Sequence, residues 1–190
     1  MQKLLCRAIV GMAILISPFP VWAAEDKPEA GVVELFNGKD LTGWGYPKTK
    51  ETFDGKTESS DKRYTAKDGM IVVNPGKGIA QLWTTAKFPK DFELKLEFRA
   101  AENADSGLFV RAPQLQVRDY LVAGPYKMLK KYKPQEWNEI VVVVKGLVAH
   151  CTCNGEVLEE ALKVPETGGI GLEADRGQME YRKLRLKETK

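Results

Sequence analysis

The sequence predicts an all-β protein, an antiparallel β-sandwich in which two sheets bury their apolar faces against each other. Apolar and polar residues alternate in almost every segment, which is typical of strands with one buried face. Gly, Pro and the pair Asn154-Gly155 separate these segments, and an Asn-Gly pair between two strands predicts a hairpin. No stretch has a convincing helical period, although residues 125–137 could form one short helical turn.

The clearest strand lies in residues 91–100, where four apolar residues alternate with charged ones: Phe92, Leu94, Leu96 and Phe98. Residues 138–146 are a β-branched run that Gly146 closes, and the Asn154 hairpin joins two strands within 148–162. Further strands are predicted within 31–36, 63–73, 79–85, 106–111, 114–119, 168–174 and 178–188. Trp44 and Trp137 lie at strand starts, and we expect them to fill the core.

The first residues have the pattern of a secretory signal peptide. Lys3 and Arg7 precede the apolar run 8–16, and small residues follow where a signal peptidase would cut after Ala23. The apolar run is too short to cross a bilayer as a helix. The sequence therefore predicts a signal peptide over 1–23, a short linker over 24–31 and one sandwich domain over 32–188, in a protein that is periplasmic or secreted.

The charge balance argues against two classes of partner. Removal of Lys3 and Arg7 lowers the formal net charge from +3 to +1, with acids and bases interspersed along the rest of the chain. A nearly neutral chain favours neither nucleic acid nor an anionic membrane. We therefore expect no nucleic-acid partner, and no membrane contact once the signal peptide is removed.

Cys151, Cys153 and His150 invite comparison with a metal site. On a regular strand residues 151 and 153 share a face and His150 points to the other, so the three cannot converge on one ion. We expect the two cysteines to be small apolar side chains, because neighbours at i and i+2 would also make a strained disulfide. His150, the only histidine, is retained as an alternative candidate.

The stretch from Ser106 to Asp119 has an unusual polar face. Its apolar residues fall on one side of the predicted strands, while the other side carries an aromatic ring, amides and guanidinium groups: Phe109, Arg111, Gln114, Gln116 and Arg118. Planar amides and guanidinium groups suit paired hydrogen bonds to sugar hydroxyls. The alternative is a solvated face with Glu–Arg pairs between strands.

Five segments of the chain, taken in order, match the sequence pattern of a known protein family: 32–44 (VVELFNGKDLTGW), 81–99, 103–119, 136–146 and 168–188. In this order and spacing they resemble the 3-keto-disaccharide hydrolase family, also described as 3-keto-glucoside-1,2-lyase/3-keto-2-hydroxyglucal hydratase domains. The resemblance spans residues 32–188. It implies a concanavalin/laminin-G-like jelly roll in exported bacterial proteins that process oxidised sugars, with an oligosaccharide or glycoside as the substrate.

The resemblance also implies that 92–99, 106–111 and 114–119 are adjacent strands of one concave sheet. The alternation would then place six residues on a common face: Glu97, Arg99, Phe109, Arg111, Gln114 and Gln116. We expect the arginines to hold hydroxyls or an oxyanion, and Gln114, Gln116 and Phe109 to position the sugar. Trp83 is the candidate sugar platform, with packing in the core as the alternative, and Glu173 is a further candidate binding residue.

Such an enzyme needs a base, because a ketone at C3 acidifies the hydrogen on C2 and its removal allows the C1 substituent to leave. We expect Glu97 or Asp119 to be this base, with Asp175 as a further catalytic carboxylate. The sequence shows no cofactor motif and no compact set of metal ligands, although a divalent metal would be an alternative holder of the oxyanion.

Two positions depart from the family pattern. Gln114 stands where members usually carry Glu, and Asp175 stands where many carry His. A neutral amide cannot act as a base, so a carbohydrate-binding module on the same scaffold is the alternative function. A purely structural interaction domain is a third alternative, favoured if Arg–Glu pairs fill the polar face.

Overall fold

The computed structural model describes residues 31–189, so the predicted signal peptide and nearly all of the linker lie outside the described residues. The described part consists of strands, turns and loops, and it contains no helix long and apolar enough to cross a membrane. We number the strands in chain order: β1 Val32–Glu34, β2 Trp44–Tyr46, β3 Glu51–Thr52, β4 Tyr64–Lys67, β5 Met70–Val73, β6 Ala80–Thr84, β7 Phe92–Ala100, β8 Asp105–Arg111, β9 Gln114–Arg118, β10 Asn138–Lys145, β11 Val148–Cys153, β12 Glu156–Lys163, β13 Gly169–Ala174 and β14 Met179–Glu188.

The strands form two antiparallel sheets. The first sheet has eight strands in the order β12-β11-β10-β7-β14-β5-β4, with β1 also paired to β14. The second sheet has six strands in the order β3-β2-β6-β13-β8-β9. The predicted jelly-roll sandwich is therefore confirmed, and the segment 125–137 contains turns in place of the short helix that we considered.

One apolar core lies between the two sheets. The inward residues of β7 in the first sheet, such as Leu94 and Phe98, are fully buried, as are Leu108 and Val110 of β8 in the second. Burying such a side chain contributes roughly 1.5–3 kcal/mol. Trp44 is completely buried as expected, and its indole Nε1 donates a hydrogen bond of 2.7 Å to a backbone carbonyl.

The expectation for Trp137 is wrong. This side chain is half-buried on the outer face of the first sheet, where the guanidinium groups of Arg99 and Arg182 lie 4.8 and 3.8 Å from the indole ring. A position just before a strand does not by itself decide which face a side chain takes. The alternating pattern of the strand that follows Trp137 begins only at Asn138.

The hairpin at Asn154-Gly155 is confirmed. Both residues have positive φ, 49° and 77°, which suits the tight two-residue turn between β11 and β12. Cys151 and Cys153 are free and buried in the core, and burial is the main reason that the pKa of each thiol is raised to about 12. Both thiols are therefore unreactive, and His150 points away from them towards Glu160.

Candidate active site on the second sheet

The outer face of the second sheet gathers polar and aromatic side chains. In β6 the residue between Gln81 and Trp83 is fully buried, so these two face outward. Glu173 of β13 is opposite Gln81, and Gln114 of β9 is opposite Phe109 of β8. Five residues from four neighbouring strands thus share one face, and we call them the Glu173 site: Gln81, Trp83, Phe109, Gln114 and Glu173.

Two glycines let these side chains lie flat across the sheet. A Cβ at Gly107 would lie 2.1 Å from the Nε2 atom of Gln114, and a Cβ at Gly171 would lie 2.8 Å from the ring of Trp83. Only a residue without a side chain leaves this space. Gln114 therefore extends over β8 to reach Glu173, while Trp83 covers β13 and packs against Phe109, with ring centroids 5.1 Å apart.

Glu173 is the central carboxylate of this face and is only 8% exposed. Its Oε2 atom accepts a hydrogen bond of 2.6 Å from the amide of Gln114. Burial raises the pKa of Glu173, and the charges of Asp175 and Asp105 raise it further, whereas hydrogen bonds from Gln114 and Gln81 oppose the shift. A shielded carboxyl whose pKa is raised is a stronger base than an ordinary glutamate, and it is suited to accepting and returning a proton.

A second polar cluster borders the Glu173 site around Asp105. The Oδ1 atom of Asp105 accepts a 2.6 Å hydrogen bond from Gln116, and its Oδ2 atom pairs with the buried Arg118 at 3.0 Å and with the exposed Arg176 at 3.5 Å. Gln116 is thus held within the sheet, because its amide also donates to the carbonyl of Ser106. The cluster leaves Arg176 as an exposed cation beside the site.

Clefts open on both sides of Trp83. The first, of about 340 Å³, is lined by Gln81, Tyr46, Asp61 and Ile79 among others. The second, of about 530 Å³, lies towards β2, β3 and the start of β13. Trp83 lines both clefts, so a ligand in either cleft would contact the indole ring.

The prediction that Glu97 and Arg99 share this face is wrong. Their strand, β7, pairs with β10 and β14 in the first sheet and is not adjacent to β8. Glu97 accepts hydrogen bonds from Arg182 and Lys183, and Arg99 pairs with Glu180. Burial acts to raise the pKa of Glu97, but the bonds from Lys183 and Arg182 outweigh it and lower this pKa. Glu97 therefore lies in the kind of Glu–Arg surface that we considered as the alternative.

Arg111 also departs from the prediction, because it is a buried structural residue. Its φ of 63° ends the alternation of β8 and turns the side chain away from the Glu173 site. The guanidinium group is 5% exposed and donates hydrogen bonds to four backbone carbonyls: Phe88, Lys90, Gly146 and Pro165. All of these hydrogen bonds are to the protein itself, so Arg111 ties three loops together, and it also lines part of the second cleft.

Asp119 and Asp175 have different surroundings. Asp119 is 3% exposed and continues the inward side of β9, where it accepts hydrogen bonds from the backbone of Asn103 and from Tyr132 and Gln135. The structure therefore does not bring Asp119 to the Glu173 site, and its predicted role as the base is not supported by this position. Asp175 follows β13 and is close enough for its charge to raise the pKa of Glu173.

Sequence reasoning missed Gln81, Asp105 and the two glycines beneath the site, Gly107 and Gly171. The alternation of residues 79–85 does place Gln81 on the same face as Trp83, and this pattern could have identified it. Gly107 and Gly171 lie inside strands, where an isolated glycine indicates close approach of another group. Among residues 31–189, no three His, Cys, Asp or Glu side chains gather closely enough to hold a metal ion.

The fold and the site together define a jelly-roll protein with a buried carboxylate and two aromatic rings on the outer face of one sheet. The model of the 3-keto-alpha-glucoside-1,2-lyase-like domain family matches residues 31–187, and the chain belongs to this family. A 3-keto-disaccharide hydrolase of Bacteroides thetaiotaomicron is 27% identical, in a match that covers 68% of this chain. The match spans 58% of the length of that relative.

Solved structures show the same fold. Two crystal structures of candidate glycosyl hydrolases from Parabacteroides distasonis superimpose on this chain with TM-scores of 0.64 and 0.61. Both are 18% identical to it; the first covers 84% of this chain and 95% of its own, and the second 83% and 99%. At this identity the likeness establishes the sandwich fold alone.

Proposed function

We propose that this chain is an exported enzyme that cleaves 3-keto-glycosides by elimination followed by hydration. The observation that carries the proposal is Glu173, a shielded carboxyl of raised pKa held by amide donors beside two aromatic rings. Membership of the 3-keto-alpha-glucoside-1,2-lyase-like family and the name of the Bacteroides relative support the substrate class. The signal-peptide pattern of residues 1–23 supports export.

In the proposed reaction Glu173 acts first as the base. Its carboxylate removes the proton from C2, the electron pair forms an enediolate with the C3 ketone, and the C1–O bond then breaks to give a 2-hydroxy-3-keto-glycal. The departing oxygen takes up a proton from solvent, which is replaced when the adding water loses one. Water then adds, with its hydroxyl on C1 and a proton on C2, so that the net result is hydrolysis. The protonated Glu173 is placed to return that proton.

The other residues of the site position the substrate. Trp83 and Phe109 offer adjoining apolar rings to the face of a pyranose. Gln114 holds the Glu173 carboxylate and Gln81 lies opposite Glu173 in the sheet, while Arg176 is an exposed donor at the edge that could bind a sugar hydroxyl. The reaction thus needs no side chain outside the second sheet and its connecting loops.

The test is incubation of the purified mature domain with 3-keto-glucosides, with and without a divalent metal. Mass spectrometry would follow release of the C1 substituent and the glycal intermediate. We expect release by the unaltered protein and its loss in Glu173→Gln, which keeps the shape of the side chain. Saturable binding without release, with or without metal, would contradict the proposal and favour the carbohydrate-binding module.

A further inference from the structure

The cleft of about 340 Å³ beside Trp83 continues the Glu173 site to one side. Gln81 belongs to both, because it lies opposite Glu173 in the sheet and lines this cleft. The far wall is formed by Tyr46, Asp61 and Ile79. A substrate placed over Glu173 would therefore extend into this cleft past the indole of Trp83.

Asp61 presents a carboxylate whose orientation is fixed. Three donors converge on its Oδ1 atom: the hydroxyl of Tyr46 at 2.6 Å, the hydroxyl of Ser59 at 2.7 Å and the backbone amide of Arg63 at 3.1 Å. None of these donors uses Oδ2, which leaves that oxygen able to accept a hydrogen bond from a ligand. The side chain itself is exposed, so a ligand can reach it.

A buried arginine holds this wall at a set distance from the strand of Glu173. Arg63 is 6% exposed and donates hydrogen bonds of 2.7 Å to the carbonyl of Gly78 and 2.8 Å to that of Ala174. Gly78 precedes Ile79 in the cleft wall, and Ala174 follows Glu173 in β13. The two halves of the surface are therefore preorganised relative to each other, which lowers the entropic cost of binding a ligand across both.

The chemistry of the cleft matches a sugar. Ile79 is 64% exposed and lies, with the half-buried Trp83, in a wall that also contains the Asp61 carboxylate. An apolar surface beside a hydrogen-bond acceptor suits a pyranose, which presents C–H groups on its faces and hydroxyl donors at its edge. Hydrogen bonds to an ionised acceptor are about twice as strong as neutral ones.

We propose that this cleft is a second sugar subsite, in which the Oδ2 atom of Asp61 accepts hydrogen bonds from hydroxyls of the leaving group. The inference rests on the proposed function, because the leaving group is defined by cleavage at Glu173. It makes Asp61 a specificity-determining residue. The chemical step itself stays with Glu173.

Kinetics with two leaving groups test the subsite. Asp61→Asn keeps an Oδ1 acceptor for Tyr46, Ser59 and Arg63 but replaces Oδ2 with an amide donor. We expect kcat/KM to fall about 10- to 100-fold for a 3-keto-disaccharide, the value of one hydrogen bond to a charged group. For a 3-keto nitrophenyl glucoside, whose leaving group has no ring hydroxyls, kcat/KM should stay within about twofold. Equal losses on both substrates, or no loss on either, would overturn the subsite.

Asp54→Asn is the matched control. Asp54 is also an exposed loop aspartate, it accepts a hydrogen bond of 2.8 Å from the backbone amide of Gly43, and it does not line the cleft. We expect this variant to leave the ratio of the two kcat/KM values unchanged. A matching change in the ratio would show that loop stability, and not Oδ2, controls the disaccharide.

A titration separates this proposal from the proposed function. If the unaltered protein turns over neither substrate, the proposed function fails, and glucose binding then decides the subsite. NMR of the amide resonances of Thr49 and Ile79 would follow glucose added to the protein. Saturable shifts that Asp61→Asn removes would support a sugar subsite without catalysis. The absence of shifts in the unaltered protein would overturn the subsite as well.

Discussion

Glu173 and Glu97 show how the surroundings of a residue decide its chemistry. Both are partly shielded glutamates on strands, but Glu97 accepts hydrogen bonds from two cations, which lower its pKa, whereas amides and neighbouring acids surround Glu173. A carboxylate held by cations is a weak base. Of the two residues Glu173 is therefore the stronger base, and it lies on the sheet opposite to the one that carries Glu97.

Gln114→Ala tests the hydrogen bond that holds the base. The amide of Gln114 lowers the pKa of Glu173, so its removal should raise that pKa further. Because the base must be ionised, activity rises as pH increases through this pKa, and the acidic limb of the kcat/KM profile should move to higher pH. Gln116→Ala is the control, since Gln116 bonds Asp105 instead. An acidic limb that stays in place in Gln114→Ala would contradict this role.

The raised pKa of Glu173 also predicts how stability depends on pH. A carboxyl whose pKa is raised in the folded state binds its proton more tightly there than in the unfolded chain. Its contribution is fully present below the unfolded pKa and is lost as pH rises through the folded pKa. The free energy of unfolding should therefore fall over this window more steeply in the unaltered protein than in Glu173→Gln. Urea unfolding at a series of pH values measures the free energy of unfolding of both proteins. The same pH dependence in the unaltered protein and in Glu173→Gln would refute the prediction.

At the scale of the element, the hairpin β8–β9 shows what alternation predicts and what it does not. Alternation correctly assigns Leu108 and Val110 to the core and Phe109 to the outer face. It fails at Arg111, where a φ of 63° breaks the strand geometry on which the pattern depends. Alternation also does not predict the role of Gly107. Because this residue has no side chain, it leaves room for Gln114 to lie across β8.

Gly107→Ala should therefore affect activity more than stability. The added Cβ would displace the end of the Gln114 side chain, which is flexible and can swing outward. We expect a stability change within about 1 kcal/mol, and an acidic limb shifted as in Gln114→Ala. The double variant should show no further shift, because both changes break the same hydrogen bond. Additive shifts would mean that Gly107 acts by another route.

At the scale of the whole molecule, pairing between distant strands could not be predicted from the sequence. The strands, the Asn154 hairpin and the core faces follow from local periodicity, and the resemblance supplied the jelly-roll fold. The sheet to which β7 belongs depends on its pairing with β10 and β14, far along the chain. Period-two alternation specifies two faces and no partner, and the adjacency of β7 and β8 that the resemblance implies is wrong, so Glu97 does not share a face with Phe109. The sequence predicts Glu173 as a binding residue and does not single it out from the other carboxylates, because its raised pKa depends on neighbours from other strands.

Arg111 links the loops at one end of the molecule, and its replacement tests that role. Arg111→Met removes four hydrogen bonds from a buried cation, so we expect a loss of at least about 3 kcal/mol in the free energy of unfolding. Arg99→Met removes a single, partly exposed pair with Glu180 and should cost less, about 1 kcal/mol. Urea denaturation of both variants measures their free energies of unfolding. An equal loss of stability in the two variants would contradict the structural role of Arg111.

The most direct test of the account is proton removal from C2, measured by deuterium exchange into a 3-keto-glucoside in heavy water. The unaltered protein should catalyse exchange or elimination at C2, and Glu173→Gln should slow it by about 10²- to 10⁴-fold, the typical contribution of a general base. Glu97→Gln should leave the rate nearly unchanged. Loss of exchange in Glu97→Gln with full activity in Glu173→Gln would contradict the account.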